Sequence, residues 1–536
     1  MEVVRKTIGQ MVDSIAREQP DLDAIVHTEI GSRYTYALLA KKVDQVARGF
    51  IRAGIRPGHK LAIWAPNIPE WIISMVALAK IGVLMVPIDP GAEKETLSFI
   101  LRQSECQGII MPDQAQGKPY LELLRSVRSG LPNLSRVFLI AEKHYPGVIR
   151  WSELEAGGEQ ANQELFQGIK GRVKPEDAVA IMYTSGTTGN PKGVELNHLG
   201  LINKSMYSTA RQGIGRKDRL ALFFPLFHMF GNTCIALAGL LRGAALIMPC
   251  LSFEPSRILP AIQDEKCTAI YGSPSMLISL LEHPHFKKSH WKTVRKGIIG
   301  GAPCPMDLMK KLVEDIGVSD ITVGYGITET CSWITMTSPG DPIELRVATI
   351  GRPLECNEVK IVDPATGESL PPKKQGEICS KGFLMKGYYK MPGATAAAID
   401  RGGWFHTGDL GEMDEQGYVR ITGRLKDVIL RNGVEIFPVE LEETLYKIPD
   451  VVEAQVFGIP HTEKGQEVVA WVRVREGSSL IADDIEAYMR ENVEAQRMPS
   501  YFKIVSSFPM TRSGKVQKFK LSQMAQLEIE SLRQGT

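Results

Sequence analysis

The stretch Tyr183-Thr-Ser-Gly-Thr-Thr-Gly-Asn-Pro-Lys-Gly193 is the most informative part of the sequence. Its three glycines let backbone N–H groups approach an anion, four hydroxyl side chains can donate to phosphate oxygens, and Lys192 supplies a positive charge. The spacing G-x-x-x-x-G-K-[ST] of a Walker A loop does not occur in it. A turn rich in Gly and Thr is often only a surface connection, but the order of these residues favours a phosphate-binding loop.

Outward from this loop, apolar runs alternate with helical patterns on both sides. Before the loop, helical periodicity at 34–55 and at 70–81 separates short apolar runs at 61–65, 83–88 and 108–111. After the loop, further strands are expected at 220–224, 244–248, 268–271, 297–299 and 321–325. Strands that alternate with helices predict an α/β fold built on a parallel sheet.

The pattern changes after about residue 350. Between 350 and 420, short runs broken by Gly and Asp indicate a β-rich lobe. Beyond Gly423-Arg-Leu-Lys426 we expect a small α+β unit, with helices and strands near 438–447, 451–458, 467–475 and 482–494. The chain is therefore predicted to form two domains, residues 1–425 and residues 426–536.

Composition and charge exclude several classes of protein. The chain has 536 residues and a mass of 59.2 kDa, of which 43% are apolar and 23% charged, as in a globular protein with ample core. The net charge of +2 leaves no electrostatic footprint for nucleic acid or an anionic membrane. The apolar stretches 71–88 and 231–251 are each broken by a basic residue and a proline, so neither predicts a membrane helix.

Two features bear on the cellular compartment. No long apolar run follows Met1-Glu-Val-Val-Arg-Lys6, so a secretory signal is not predicted. The eight cysteines are scattered and form no C-x-x-C pair, unlike a zinc ribbon or a disulfide framework. A reducing cytoplasm is the simplest interpretation, and an organelle lumen stays open.

Residues 184–193 resemble the signature of the AMP-forming adenylating enzymes, which include acyl-CoA synthetases, adenylation domains of nonribosomal peptide synthetases and beetle luciferases. The resemblance extends in the family's order from about Thr35 to Lys515, nearly the whole chain. It implies that residues 1–425 bind ATP and the acid. It also implies that residues 426–536 are a mobile domain with a catalytic lysine.

The resemblance implies a role for several side chains. In Gly324-Tyr-Gly-Ile-Thr-Glu-Thr330, Tyr325 would lie against adenine, Thr328 would bond the α-phosphate and Glu329 would hold Mg²⁺, an ion that favours carboxylate and phosphate oxygens. The implied catalytic residues are Lys515, Thr328, Glu329 and Lys192. The implied nucleotide-binding residues are Thr184, Ser185, Gly186, Thr187, Thr188, Gly189, Lys192, Gly301, Ala302, Pro303, Gly324, Tyr325, Gly326, Thr328, Asp409, Arg424 and Lys515.

Three of these residues lie in the last third of the chain. Asp409, in Trp404-Phe-His-Thr-Gly-Asp-Leu410, would accept both ribose hydroxyls, and Arg424 would support the ribose or phosphate. Lys515 would lie between the acid and the α-phosphate, where a fixed cation stabilises the transition state. Taken alone, an Asp after Gly is usually a turn residue and a lysine in a basic loop is usually solvated.

The family reaction has two halves. A carboxylate attacks MgATP to give acyl-adenylate and pyrophosphate, and the thiol of coenzyme A then displaces AMP. The resemblance places Lys426 at the hinge between the domains and Gly433 in a loop that lines the pantetheine tunnel. Asn432-Gly433 is also a strong β-turn signal, and both interpretations can hold.

The acid pocket is implied to lie along Phe224-Pro-Leu-Phe-His-Met-Phe-Gly231 and the residues after Glu329. The bulk of Trp333 favours a short, medium, alicyclic or aromatic acid over a long fatty chain, while the alternative is that Trp333 is a core residue. Likewise, His228 on an apolar stretch is more often a core residue than a catalytic one. The implied pocket residues are His228, Met229, Phe230, Asn232, Thr233, Gly300, Ile327, Ser332 and Trp333.

The sequence therefore predicts an AMP-forming acyl-CoA synthetase that uses ATP, Mg²⁺ and coenzyme A. A stand-alone adenylating enzyme that loads a carrier protein is the nearest alternative, and a non-catalytic nucleotide-binding protein is a more distant one. The expected partners are small molecules, with no nucleic acid and no stable membrane insertion; a homodimer is one assembly that the sequence allows.

Overall fold

The computed structural model describes residues 2–184, 191–510 and 516–534, and the last three of these by their backbone alone. Contacts within the chain divide it into two compact units. The first comprises Met1–Glu358 with Ser380–Phe405, and the second comprises Val359–Cys379 with His406–Thr536. Both units combine helices with sheets, which confirms the predicted α/β class.

The described helices of the first unit are α1 (Ile8–Glu18), α2 (Tyr36–Arg52), α3 (Pro69–Lys80), α4 (Lys94–Gln103), α5 (Tyr120–Val127), α6 (Trp151–Glu159), α7 (Gln163–Lys170), α8 (His198–Gln212), α9 (Ala238–Arg242), α10 (Pro255–Asp264), α11 (Pro274–Leu281), α12 (Met306–Lys310), α13 (Ile343–Ala348) and α14 (Pro392–Ala398). Those of the second unit are α15 (Pro438–Leu445), α16 (Ala482–Asn492) and α17 (Lys518–Gln534).

The described strands are, in chain order, β1 (Asp23–His27), β2 (Ser32–Thr35), β3 (Lys60–Ile63), β4 (Leu84–Pro87), β5 (Gly108–Pro112), β6 (Arg136–Ile140), β7 (Ile149–Arg150), β8 (Ala178–Thr184), β9 (Lys192–Asn197), β10 (Arg219–Ala221), β11 (Ala245–Met248), β12 (Ala269–Gly272), β13 (Lys296–Gly300), β14 (Asp320–Ile327), β15 (Ser332–Met336), β16 (Arg352–Pro353), β17 (Glu358–Val362), β18 (Gly376–Lys381), β19 (Gly387–Tyr388), β20 (Phe405–Met413), β21 (Val419–Arg424), β22 (Ile429–Arg431), β23 (Val434–Ile436), β24 (Val451–His461), β25 (Gly465–Val474) and β26 (Tyr501–Ile504).

Helix α2 illustrates how local sequence sets an element. It begins after Thr35, whose hydroxyl accepts the N–H of Leu38 and caps the helix. Gly54, which follows the helix, has a φ of +90°, a conformation that favours glycine. The fully buried apolar face of α2 includes Leu39, Val43, Val46 and Phe50. This stripe at helical spacing packs the helix on the core of the first unit.

Two large sheets form the framework of the first unit. One has nine strands in the order β16-β15-β14-β13-β12-β10-β11-β1-β2, and the other has eight in the order β19-β9-β8-β4-β3-β5-β6-β7. Their central strands are parallel, as predicted, while the strands at one or both edges run antiparallel. The parallel strands β4, β5 and β11 are buried along their whole length, which explains their continuous apolar runs.

One strand is shorter than its apolar run predicts. The run at 220–224 continues to Phe224, yet β10 ends at Ala221. The amide of Asn67 donates to the carbonyl oxygen of Phe224 and accepts the N–H of Leu226, at 3.0 and 2.9 Å. Because a side chain satisfies these backbone groups, the chain can leave the sheet here without unpaired buried polar atoms.

The second unit contains two smaller sheets. The four-stranded sheet β17-β18-β20-β21 confirms the predicted β-rich lobe. In the other sheet, β23, β22, β25 and β24 are neighbours and β26 pairs with β25. The boundary predicted at Lys426 falls inside this unit, in the 3₁₀ turn Leu425–Asp427, and stays a prediction. Among the helices of the described residues, none is both long and apolar enough to cross a bilayer.

Candidate active site

The predicted phosphate loop connects two antiparallel strands. Strand β8 ends at Thr184 and β9 begins at Lys192, and these two residues are register partners. Both therefore lie at the base of the loop. Ser185, Gly186, Thr187, Thr188 and Gly189 lie outside the described residues.

Lys192 and Glu329 are brought together through a tyrosine that the sequence analysis missed. The Tyr388 hydroxyl donates a 2.9 Å hydrogen bond to Oε1 of Glu329. The ammonium nitrogen of Lys192 lies 4.9 Å from the centre of the Tyr388 ring, within range of a cation–π interaction. We call Lys192, Glu329 and Tyr388 the carboxylate cluster. The signal that could have found Tyr388 is its place in Met385-Lys-Gly-Tyr-Tyr389, a short aromatic strand beside β9.

The backbone also holds Glu329 in place. Glu329 lies in the 3₁₀ turn Thr328–Thr330 that follows β14, at the carboxyl end of a strand. The N–H of Met385 donates to its carbonyl oxygen at 2.7 Å. Burial, with the nearby Glu329 carboxylate, raises the pKa of Tyr388, so its hydroxyl stays protonated and donates to that carboxylate. Thr328, half-buried, lies one residue before Glu329.

The carboxylate cluster fits a magnesium ion. Mg²⁺ takes hard oxygen ligands and is commonly held by one or two carboxylates together with substrate phosphates. Glu329 supplies such an oxygen, and it lies beside the base of a glycine-rich loop that carries Lys192. Glu329 would therefore hold the ion.

The predicted adenine-binding residues lie in the last part of strand β14 and just after the parallel strand β13. Gly300 at the end of β13 is the register partner of Gly324 in β14. Gly301, Ala302 and Pro303, just after β13, are exposed. Tyr325 is buried in β14. Ligands of α/β proteins bind beyond the carboxyl ends of parallel strands, and Gly301, Ala302 and Pro303 lie just beyond the end of β13.

Most of the predicted acid-pocket residues lie in two segments: the one that begins at His228, and the end of β14 together with β15. His228 begins a segment that continues as a π-helical stretch over Phe230–Leu237, and short π-helical stretches often mark functional sites. The indole of Trp333 in β15 meets the ring of Phe230 edge-on, with the ring centres 5.1 Å apart. The structure thus brings Phe230 and Trp333 into contact.

Glycines of β13 and β14 leave the space that the Trp333 indole occupies. A Cβ atom at Gly300 would lie 3.0 Å from Cη2 of Trp333, and one at Gly324 would lie 2.9 Å from its Cε3. Real Cβ atoms rarely come so close to a neighbour, so alanine at these positions would displace the indole. Trp333 is 4% exposed, so its indole is almost entirely shielded from solvent.

Several of the remaining pocket residues form hydrogen bonds with one another within the segment from His228 to Thr233. Nδ1 of His228 accepts the N–H of Phe230 at 3.1 Å, and its carbonyl oxygen accepts the side chain of Asn232. Thr233 donates to Asn232 at 2.6 Å. Met229 and Ser332 are buried, and Ile327 is half-buried at the end of β14. The bonds of His228 and Asn232 order the segment that leads into the π-helical stretch.

In the second unit, Asp409 and Arg424 are brought together. They are register partners in β20 and β21, and Nε of Arg424 donates to Oδ1 of Asp409 at 2.8 Å. The Asp409 side chain is 7% exposed, whereas that of Arg424 is 47% exposed. A buried carboxylate that lies beside a guanidinium is an acceptor of several hydrogen bonds, and the two hydroxyls of a ribose are donors of that kind.

A second acid, which the sequence analysis missed, braces the Asp409 segment. Buried Glu377 accepts the N–H of Gly408 at 2.9 Å and pairs with Nδ1 of His406 at 2.8 Å. Thr407 accepts the N–H of Asp409 and donates to the carbonyl oxygen of Ile378. Asp409 is therefore preceded by three residues that are each tied to β18.

The hinge and tunnel predictions fall on a turn and a hairpin of the second unit. Lys426 is exposed in the turn Leu425–Asp427. Asn432 and Gly433 have φ values of 53° and 79° and connect β22 to β23, so they form the predicted two-residue β-turn. Lys515 lies outside the described residues; its neighbours Met510 and Val516 pair as an isolated antiparallel bridge.

Comparison with known proteins identifies relatives over nearly the whole chain. Residues 12–389 match the family described as AMP-binding enzyme, and residues 440–515 match the AMP-binding enzyme C-terminal domain. A Bacillus subtilis protein named "Putative acyl-CoA synthetase YngI" is 38% identical over 534 residues, covering 97% of each chain. The mitochondrial medium-chain acyl-CoA ligase ACSF2 of Danio rerio is 32% identical over 98% of this chain and 89% of its own.

A solved structure has the same fold. The ATP-bound MatB from Rhodopseudomonas palustris superposes with a TM-score of 0.85 and 25% identity, over 97% of this chain and 99% of its own.

Proposed function

The chain belongs to the AMP-binding enzyme family, and from that premise we propose that it is an AMP-forming acyl-CoA synthetase. It converts a carboxylic acid and ATP to an acyl-adenylate and pyrophosphate, and then transfers the acyl group to coenzyme A with release of AMP. The observation that carries the proposal is the carboxylate cluster, in which Tyr388 links Glu329 to Lys192 at the base of the glycine-rich loop.

The chain's own residues would bind and orient the reactants. Lys192 and the loop bind the phosphates of ATP, while Glu329, fixed by Tyr388, holds Mg²⁺. The ion, when bound, neutralises phosphate charge during phosphoryl chemistry. Asp409 accepts the ribose hydroxyls in this proposal. Arg424 orients its carboxylate through Oδ1, and Glu377 fixes the segment before it.

No protein nucleophile is needed for adenylation, because the acid's own oxygen attacks. Negative charge then moves to the bridging oxygen and the leaving pyrophosphate. A fixed cation near these atoms stabilises the transition state, and removal of one such group costs on the order of 10²–10³ in rate. We assign this role to Lys515, which is the last residue of the matched C-terminal domain.

The proposed acid is a short, medium, alicyclic or aromatic one. The relatives include an enzyme named as a medium-chain acyl-CoA ligase. In this chain, Trp333 fills the space above Gly300 and Gly324, so an extended tail would meet the indole. A hydrophobic pocket discriminates by only about 1–3 kcal/mol per methylene, so the preference is expected to be graded.

A screen of acids tests the proposal. Pyrophosphate release is measured with benzoate, alicyclic acids and straight-chain acids of about two to sixteen carbons, with and without coenzyme A. Mass spectrometry then identifies AMP and acyl-CoA, and Glu329→Gln serves as the inactive control. Acyl-CoA formation supports the proposal; acyl-adenylate that is transferred only to a carrier protein would favour the loading enzyme instead. Release of ADP, or no turnover with any acid, would contradict both.

A further inference from the structure

Within the part of the chain that the structure describes, a buried lysine of the first unit lies without an acidic partner. Lys204 in α8 has a side chain with 0% exposure. Among the described residues no carboxylate lies within salt-bridge distance of it. Its ammonium nitrogen donates instead to the carbonyl oxygen of Trp333, at 3.1 Å, and to Oδ1 of Asn357. Burial lowers the pKa of Lys204 to about 8, so keeping this amine inside costs folding free energy.

Asn357 reinforces the same carbonyl group. Its Nδ2 donates to the carbonyl oxygens of Trp333 and Ile334, at 3.1 and 2.7 Å. Among the described residues, β16 pairs with Thr335 and Met336 of β15, and the N–H of Leu354, just after β16, donates to the carbonyl oxygen of Ile334 at 3.0 Å. The side chains of Lys204 and Asn357 supply the hydrogen bonds to the next carbonyl oxygen along β15, that of Trp333. We call these two residues the edge clamp.

The edge clamp lies next to a strained corner. Cys331 and Ser332 have φ values of 57° and 114°, a left-handed region that non-glycine residues rarely adopt. Such residues persist only where their surroundings hold them, at a cost of about 1–3 kcal/mol each. The corner separates Glu329 from Trp333 and aims the indole at the glycines of β13 and β14. Because the edge clamp binds the backbone directly after Cys331 and Ser332, it fixes the position of the Trp333 indole.

We propose that Lys204, together with Asn357, is a positioning residue that holds Trp333 as a fixed end wall of the acid pocket and so sets the length of acid accepted. This inference rests on the proposed function. Lys204 touches the backbone of Trp333 and acts through it. The ammonium group suits the task because a charged donor makes a stronger hydrogen bond to a carbonyl than a neutral one.

The test is a double-mutant cycle on acid length. The ratio of kcat/KM for a twelve-carbon acid to that for a six-carbon acid is measured for the wild type, Lys204→Met, Trp333→Ala and the double variant. Lys204→Met keeps a side chain of similar length without the donor, and we expect it to raise the ratio about tenfold. In the Trp333→Ala background, the same substitution should change the ratio less than twofold, because the wall it positions is gone.

Arg211→Met is a matched control on the same helix and strand. Arg211 also donates from α8 to a β15 carbonyl oxygen, at 2.9 Å, but to that of Met336, three residues after Trp333. Its loss should lower the melting temperature without changing the length ratio. An equal change of the ratio in Arg211→Met and Lys204→Met would overturn the proposal, because it would indicate general loosening of β15.

Two further outcomes are decisive. If Lys204→Met does not fold, Asn357→Leu removes the second half of the edge clamp and is expected to raise the ratio in the same direction. An unchanged ratio in every folded clamp variant overturns the inference, although acids are still activated by the wild type. Failure of the proposed function looks different, because the wild type itself would then release no pyrophosphate with any acid.

Discussion

The hydroxyl group of Tyr388 lies 2.9 Å from the carboxylate of Glu329 and donates a hydrogen bond to it. The two residues are 59 positions apart in the chain. The N–H of Met385, just before β19, donates to the carbonyl oxygen of Glu329, and β19 itself pairs with β9, the strand that begins at Lys192. The same tyrosine ring receives the Lys192 ammonium on its face. One side chain therefore fixes both the acidic and the basic member of the carboxylate cluster.

Removal of the Tyr388 hydroxyl should reduce the apparent affinity for Mg²⁺ more than it reduces the stability of the fold. In Tyr388→Phe the ring that faces Lys192 remains, while Glu329 loses a donor that orients it. Loss of an outer partner of a metal ligand typically costs about 10–100-fold in affinity or activity. We expect the Mg²⁺ concentration for half-maximal pyrophosphate exchange to rise by about tenfold. A magnesium titration of that exchange reaction measures the change.

Tyr389→Phe is the matched control for that variant. The hydroxyl of Tyr389 bonds Glu105 at 3.3 Å, outside the carboxylate cluster. Its removal should leave the magnesium titration unchanged. The interpretation is wrong if both variants shift the titration equally.

The two half-reactions should separate in Lys515→Ala. Because the lysine is assigned to charge that develops only during adenylation, its loss should lower the rate of adenylate formation by about 10²–10³. Thioester formation from supplied acyl-adenylate and coenzyme A should remain near the wild-type rate. Single-turnover measurements of each half-reaction check this, and equal loss in both would refute the division of labour.

Much of the fold could be predicted because local patterns dominate it. The cap at Thr35, the apolar runs of the parallel strands and the turn at Asn432-Gly433 all depend on near neighbours in the chain. In contrast, β10 is shorter than the apolar run at 220–224. Asn67 bonds the backbone of Phe224 and Leu226, which lie 157 and 159 residues further along the chain. No local pattern carries that information.

The same distinction applies to the candidate site. Sequence motifs predict three of the site residues, because the residues around Thr184, Lys192 and Glu329 occur in a specific order. Tyr388 joins the site through contacts between residues far apart in the chain: the pairing of β19 with β9 and its hydrogen bond to Glu329. Lys204 carries no signal at all in a sequence, since an isolated lysine is ordinarily solvated. Residues that act through a third residue are visible only once the fold is known.

Enlarging the end of the pocket should admit longer acids. Trp333→Ala removes the indole above Gly300 and Gly324, where a space for additional methylenes would open. We expect the optimum in kcat/KM to move by at least two carbons toward longer chains. Loss of so large a buried side chain also costs about 3–5 kcal/mol of stability, so assays belong well below the melting temperature.

Trp291→Ala is the control for the loss of a buried tryptophan. Trp291 is 0% exposed but belongs to a different core cluster of the first unit from that of Trp333. It should destabilise the protein without moving the chain-length optimum. An unmoved optimum in a folded Trp333→Ala variant would indicate that Trp333 is a core residue only.

The hairpin that carries Gly433 is anchored by an ion pair with a predictable pH dependence. Arg431, just before the turn, bonds Glu467 at 2.7 Å, and both side chains are less than 10% exposed. Burial alone would raise the pKa of Glu467, but hydrogen bonds from Lys464, Arg431, Ser500 and the Val468 N–H lower it to about 2. A glutamate in an unfolded chain has a pKa of about 4.3.

The sign of the effect follows from proton binding. Between about pH 4.3 and 2 the unfolded chain binds a proton at Glu467 that the folded chain does not, so stability falls as the pH falls through this window. Above it, the contribution of the carboxylate is complete. Glu467→Gln should therefore unfold more readily than the wild type at pH 7, by about 3–5 kcal/mol, because Arg431 is left buried without its counter-ion.

The difference between the two proteins should shrink as the pH approaches 2. Denaturant unfolding of both proteins measures this difference in stability from pH 7 to pH 2. Hydrogen exchange of the backbone amides in β22 and β23 then shows whether the difference arises at the hairpin. Glu443→Gln is the control, since the Arg420–Glu443 pair is largely exposed and such pairs contribute about 0–1 kcal/mol. A difference that stays constant from pH 7 to pH 2 would show that packing of the side chain, and not its charge, holds the hairpin.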